Sequence, residues 1–152
     1  MTVTPYHYAT KNGHPAIVKL LLQNGSDIAS TTLHRYGWFR SALCVAAELG
    51  HEAVVSVLLD NGADVAARDT NNNSALILAA EHGHEAIVRL LLDNNADPNV
   101  VSAYGDTALS RAASIGHEVI LKLLLDRGAD IIPRCSYPLR TVGSARCYKS
   151  GP

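Results

Sequence analysis

Apolar residues along this chain fall in short runs with helical spacing. Between Pro15 and Asn24, the residues Ala16, Ile17, Leu20 and Leu21 mark one face, while Lys19 and Gln23 lie opposite. That pattern predicts an amphipathic helix. Three similar runs follow, and the four end on apolar triplets closing at Leu22, Leu59, Leu92 and Leu125. A Gly-His pair precedes each run, at Gly13-His14, Gly50-His51, Gly83-His84 and Gly116-His117. Both sets of landmarks recur at intervals of 37, 33 and 33 residues. A period of this size marks an array of small stacked units, none of which buries its apolar face alone. A function in such a chain belongs on a surface rather than in a deep pocket.

Local signals predict where each unit begins and turns. Thr4-Pro5 suits a helix start: the Thr hydroxyl can accept from a free N–H, and Pro fits the first helical position, where no donor is needed. Ser41, Ser74 and Thr107 hold the equivalent place in later units. Gly13 stops the first helix, and Gly25, Gly62, Asn95 and Gly128 stop the second helices. These residues tolerate the left-handed backbone that closes a helix. A small residue and an aspartate then lead into a polar turn: Asp27-Ile28, Asp64-Val65, Asp97-Pro98 and Asp130-Ile131.

The stretch Thr4-Pro5-Tyr6-His7-Tyr8-Ala9, with Gly13-His14, Ile17 to Leu22 and Gly25-Ser26-Asp27, resembles an ankyrin repeat, whose hallmark is T-P-L-H-x-A. The resemblance covers about residues 2–132. It implies an all-α solenoid of stacked helix–turn–helix units joined by β-turn or hairpin loops. The units are approximately 1–29, 30–66, 67–99 and 100–132, followed by a basic segment at 133–152 that is an irregular tail or a degenerate cap. Ser41-Ala42-Leu43-Cys44, Ser74-Ala75-Leu76-Ile77 and Thr107-Ala108-Leu109-Ser110 lack the hallmark Pro and His. Aligned columns predict the core: Ala9, Ala46, Ala79 and Ala112 at close helix approaches, then Ile17, Val54, Ile87 and Ile120 with Leu21, Leu58, Leu91 and Leu124 between neighbours.

Composition supports thin layers of helices: of 152 residues, 47% are apolar but only 5% aromatic. The net charge of −1 disfavours a general nucleic-acid or membrane binder. Four bases and no acid lie in 133–152, so a third reading is an anionic partner held by this tail with Arg35 and Arg40. Cys44, Cys135 and Cys147 form no regular framework, and no signal-peptide core or membrane span is legible. An intracellular, cytoplasmic or nuclear, monomeric protein is expected, either intact or a piece of a longer repeat protein.

Repetition also weakens the catalytic and metal readings. His14, His51, His84 and His117 occupy equivalent places on units whose helices lie about 8–10 Å apart, too far for one zinc with ~2.1 Å bonds. His82 and His84 are closer, but two ligands make a weak site. Hydrogen bonding in the inter-helix loop is expected of the Gly-His histidines, and turn capping of the recurrent aspartates. Neither a nucleophile elbow nor a phosphate loop occurs, and Cys44 occupies a column that should be buried. No enzyme activity and no cofactor are expected.

The longer first interval places four extra residues between Ser30 and Ser41, in a stretch holding the sole Trp and the sole Phe. Arg35, Tyr36, Trp38, Phe39 and Arg40 read as a partner-binding finger, since aromatics and Arg anchor interfaces most often. The alternative is that Trp38 or Phe39 folds back over the core beside unit one. The resemblance adds the family's variable positions at turn tips and first helices: Lys11, Asn12, Glu48, Leu49, Thr70, Asn71, Asn73, Glu81, His82, Ala103, Tyr104, Asp106, Ser114 and Ile115. It implies a scaffold or adaptor that binds another protein. A structural spacer within a larger protein is the second reading.

Overall fold

The computed structural model describes residues 4–33 and 39–132. Among them are eight helices and one short ribbon: α1 (Pro5–Lys11), α2 (Pro15–Gln23), β1 (Thr31–Leu33), β2 (Phe39–Ser41), α3 (Ala42–Leu49), α4 (Glu52–Asp60), α5 (Ala75–Glu81), α6 (Glu85–Asp93), α7 (Ala108–Ile115) and α8 (Glu118–Asp126). Helices pair as α1/α2, α3/α4, α5/α6 and α7/α8, one pair per unit. The first helices α1, α3, α5 and α7 pack in one row and the second helices α2, α4, α6 and α8 in another. The architecture is the helical solenoid expected. None of the described helices is long and apolar enough to cross a membrane.

Caps explain why the first helices start where they do. Backbone N–H groups of Cys44, Ile77 and Ser110 donate to the hydroxyls of Ser41, Ser74 and Thr107 at 3.2, 3.3 and 3.2 Å. In α7 the bond is reciprocal, because Thr107 N–H also donates to Ser110 Oγ at 2.9 Å. Thr4 departs from the expectation, since its side chain caps no helical N–H. Its hydroxyl instead donates to His7 Nδ1 at 2.6 Å, and His7 Nε2–H donates to the Ser30 carbonyl at 3.3 Å. A tethered imidazole thus replaces the cap in the one unit that carries the hallmark Thr and His. Gly25, Gly62, Asn95 and Gly128 all adopt positive φ as expected of helix terminators.

The alanine column is buried throughout, at Ala9, Ala46, Ala79 and Ala112. So are Val54, Ile87, Ile120, Leu58, Leu91 and Leu124. Ile17 was expected to share this core but is 48% exposed, and Leu21 is only partly buried. Both lie on the outward side of unit one, where no described unit packs, whereas their equivalents are sealed by the preceding unit. Two buried side-chain atoms lack a hydrogen-bond partner among the described residues, Arg111 Nε and the Tyr6 hydroxyl. Burial, reinforced by the negative charge of Asp27, pushes the Tyr6 pKa up to about 12.

Two outcomes follow from this packing. Leu91→Ala removes a fully buried side chain and should destabilise by about 2–5 kcal/mol; the half-exposed Ile17→Ala should cost far less, and equal urea midpoints for the two variants would contradict the packing. The His7 pKa is lowered, mainly by burial, against a weaker raising effect from its bond to the Ser30 carbonyl. The unfolded chain therefore binds the extra proton first, so His7 contributes most stability above the unfolded value of about 6.5 and loses it as pH falls below that. His7→Asn should flatten the acid-side decline of unfolding free energy; curves that stay parallel from neutral pH into the acid range would refute the assignment.

Candidate partner-binding face

The Gly-His pairs connect units rather than closing a single inter-helix loop. His51 Nε2–H donates to the Lys11 carbonyl at 2.9 Å, His84 to that of Glu48 at 3.0 Å and His117 to that of Glu81 at 3.3 Å. Each ring ties the end of the preceding unit's first helix, whose last carbonyls have no helical partner. Each also lies over the preceding unit's glycine. A Cβ on Gly83 would sit 2.8 Å from His117 Cε1, and Gly83 has φ +78°. The column therefore needs glycine twice over, for left-handed backbone and for room beneath the ring.

The loop tips are built on buried polar anchors. The Asp69 carboxylate accepts from the N–H groups of Asn71 at 2.9 Å and Asn73 at 2.8 Å, and from Asn73 Nδ2 at 3.1 Å. Thirty-three residues on, Ser102 Oγ plays the same part, accepting from Tyr104 N–H and Asp106 N–H at 3.2 Å each. The two tips are joined as well, because Asn72 Nδ2 donates to the Val101 carbonyl and Ala103 N–H to that of Asn71, both at 2.8 Å. Four extra residues in the first interval are taken up differently: β1 and β2 pair antiparallel, with Thr31 opposite Ser41 and Leu33 opposite Phe39.

Two guanidinium groups brace the surface between helices and loops. Arg40 pairs with Glu48 on α3 and lies 3.6 Å from the buried Asp69 carboxylate. Arg111 reaches Glu81 at 3.3 Å and Asp106 at 2.9 Å. Expected contact residues thus divide into two groups. Arg40, Glu48, Glu81, Asp106, Asn71 and Asn73 are engaged within the chain. Lys11, Asn12, Leu49, Thr70, His82, Ala103, Tyr104, Ser114 and Ile115 are exposed. Leu49, Tyr104 and Ile115 are 45%, 68% and 53% exposed. Arg35, Tyr36 and Trp38 lie outside the described residues, as does 133–152, while Phe39 falls on β2.

Sequence reasoning missed Arg111 and Asp69. Arg111 carried a signal, since its column otherwise holds Tyr8, Val45 and Leu78. Asp69 resembled any turn aspartate, and only its burial sets it apart. The other turn acids act as expected: Asp27, Asp64 and Asp97 accept from the N–H two residues on, at 2.9 Å each. His82 and His84 stack with ring centroids 6.1 Å apart, but no cluster of three or more metal-ligating groups forms among the described residues. Cys44 is fully buried, and that burial pushes its thiol up to about 11, which keeps it from the thiolate form near neutral pH.

Stacked helix pairs joined by loops, repeated four times, define a helical repeat array. The chain belongs to the ankyrin repeat family: the family model for ankyrin repeats in three copies matches residues 1–69 and 43–135. Such repeats are generally protein–protein interaction modules. Among curated proteins, no sequence matches the chain.

Gly83 and Gly116 separate the two demands on the glycine column. Both have positive φ, but nothing lies within 4 Å of a Cβ added at Gly116. Gly116→Ala should cost about 1–2 kcal/mol for left-handed backbone alone. Gly83→Ala must also displace His117, adding about 0.5–1.5 kcal/mol for its bond to Glu81. Chemical denaturation of the two variants measures the difference, and equal losses would remove the histidine from the account.

Proposed function

We propose that the chain is a non-catalytic adaptor that holds a protein partner along the row Asn12, Leu49, His82 and Ile115, with Lys11, Thr70, Tyr104 and Ser114 beside it. One observation carries this reading. The row is exposed in all four units while its residue changes from Asn to Leu to His to Ile, whereas the alanine column stays buried and invariant. Stacking constrains the second column and leaves the first free for recognition. Exposed Leu49 and Ile115 supply apolar contact area, and Tyr104 supplies an aromatic anchor.

The insertion belongs to the same surface. Its β2 end carries Arg40, and Arg40 grips Glu48, the neighbour of Leu49 on α3. Arg35, Tyr36, Trp38 and Phe39 are assigned to the same partner contact on their residue types, since aromatics and Arg anchor interfaces most often. With Arg40 held by internal carboxylates, an anionic partner gains less support than an apolar and aromatic contact. One copy presents the complete row, so recognition needs no second chain, and an intracellular compartment suits the buried free thiol of Cys44.

A lysate pull-down followed by a titration of the retained protein tests the proposal. Three chains are compared after circular dichroism shows equal helicity: the wild type, Leu49→Ala/Tyr104→Ala and Trp38→Ala/Phe39→Ala. Loss of at least about tenfold in affinity, or about 1.4 kcal/mol, is expected for the first variant, and a smaller loss for the second. A partner bound equally by all three chains would move the site elsewhere; no specific partner at all would favour the structural spacer.

A further inference from the structure

The interface between successive units occurs three times in the chain, so the chemistry of its two halves is known. One half is a unit's leading side, which presents the loop histidine and the column of Val54, Ile87 and Ile120, each 1% exposed. The other is a trailing side, which presents the glycine, the carbonyl two residues before it and the column of Val18, Val55 and Val88, each 0% exposed. Both halves stand open at the limits of the described array. On unit one, Ile17 and Leu20 are 48% and 58% exposed, and the His14 ring, whose three equivalents each reach a carbonyl, makes no hydrogen bond to a described residue. On unit four, Ala113 is exposed although its equivalents Ala47 and Ala80 are fully buried, and Leu125 is 38% exposed where Leu92 is 7%. Above Gly116 is the open space that His51, His84 and His117 fill over Gly13, Gly50 and Gly83.

The two open sides are complementary halves of one joint, with the same residue types as the filled joints. Unit one offers His14 and Ile17 where the later units offer His and Val or Ile. Unit four offers Gly116, the Ser114 carbonyl and Ala113 where the earlier units offer Gly, a carbonyl and Thr or Ala. We propose that two copies of this chain associate head to tail: unit one of one copy stacks on unit four of the next, and His14 takes the place over Gly116 as donor to the Ser114 carbonyl. The contact is heterologous, because the two surfaces differ, so it propagates into open chains of copies unless the superhelix closes a ring. This goes beyond partner recognition and replaces the monomer expected from sequence. It leaves the row through Leu49 and His82 free and joins the rows of successive copies into one longer surface.

Sedimentation velocity across the micromolar to millimolar range tests the proposal with the full chain. The wild type should shift to larger species as concentration rises. Leu20→Glu blocks the leading side and Ala113→Glu the trailing side, both at exposed positions. Each variant alone should weaken association by at least about tenfold, with helicity unchanged. Mixing the two should restore one joint only, between the intact trailing side of the first and the intact leading side of the second, and so give a one-to-one dimer that grows no further. A wild type that stays monomeric throughout would overturn the proposal. So would a variant that still assembles like the wild type, or a mixture that forms no dimer, the mark of like-to-like contact at one end. His14→Ala supplies a milder change: weaker association with an unaltered melting temperature is expected, while unaltered association would remove the histidine–carbonyl bond from the joint.

Discussion

Everything in this fold depends on the joint between units, because a single pair of helices of nine residues or fewer cannot bury its own apolar side. Helices this short are marginal in water, and most of their stability comes from packing. The joint supplies it through a small column and a filled column: alanines let first helices approach, and branched residues from the second helices close the gap. The histidine–carbonyl bond adds direction to that contact. Apolar burial alone would allow neighbouring units to slide, whereas a ring seated over a glycine and bonded to one carbonyl specifies a single register.

The surface inherits its geometry from the joint. Since each unit repeats the last, a residue at one place in a unit becomes a member of a row on the array. Rows that face a neighbour are restricted in size and polarity. The row through Leu49 and His82 faces solvent and is not, so residue type can change there without cost to stacking. Ion pairs at Arg40 and Arg111 hold helix ends against loop tips and keep this surface in shape. They are partly buried, each arginine meets two carboxylates, and that of Asp69 accepts further hydrogen bonds, which separates them from isolated surface pairs worth little.

Much of this was legible in the sequence because repetition makes each position appear four times. Helix count, the glycine and asparagine stops, the buried alanine column and, beyond unit one, the buried leucine column were readable from spacing. What escaped reading depends on relations between units. That Gly83-His84 joins neighbours is invisible in any one copy: the pair looks like an ordinary loop, and only the carbonyl reached by His84, 36 residues away, shows its purpose. Ile17 misled for a related reason, since its type and spacing match buried residues but its burial needs a neighbour. Asp69 is one turn aspartate among several until Arg40 and the Asn73 backbone close over it.

The ribbon formed by β1 and β2 has a different kind of consequence. Its paired strands return the chain to Ser41, where α3 begins with the same cap as α5, so the additional length is spent before the helices resume. Length at this one junction is uncoupled from the spacing of the stack. The chain therefore carries a graft point: a longer, shorter or wholly different segment can be exchanged between β1 and β2 while the helical frame keeps its period. That makes the junction the natural place for divergent copies of such an array to acquire new specificities, and a practical one for inserting a foreign epitope or reporter.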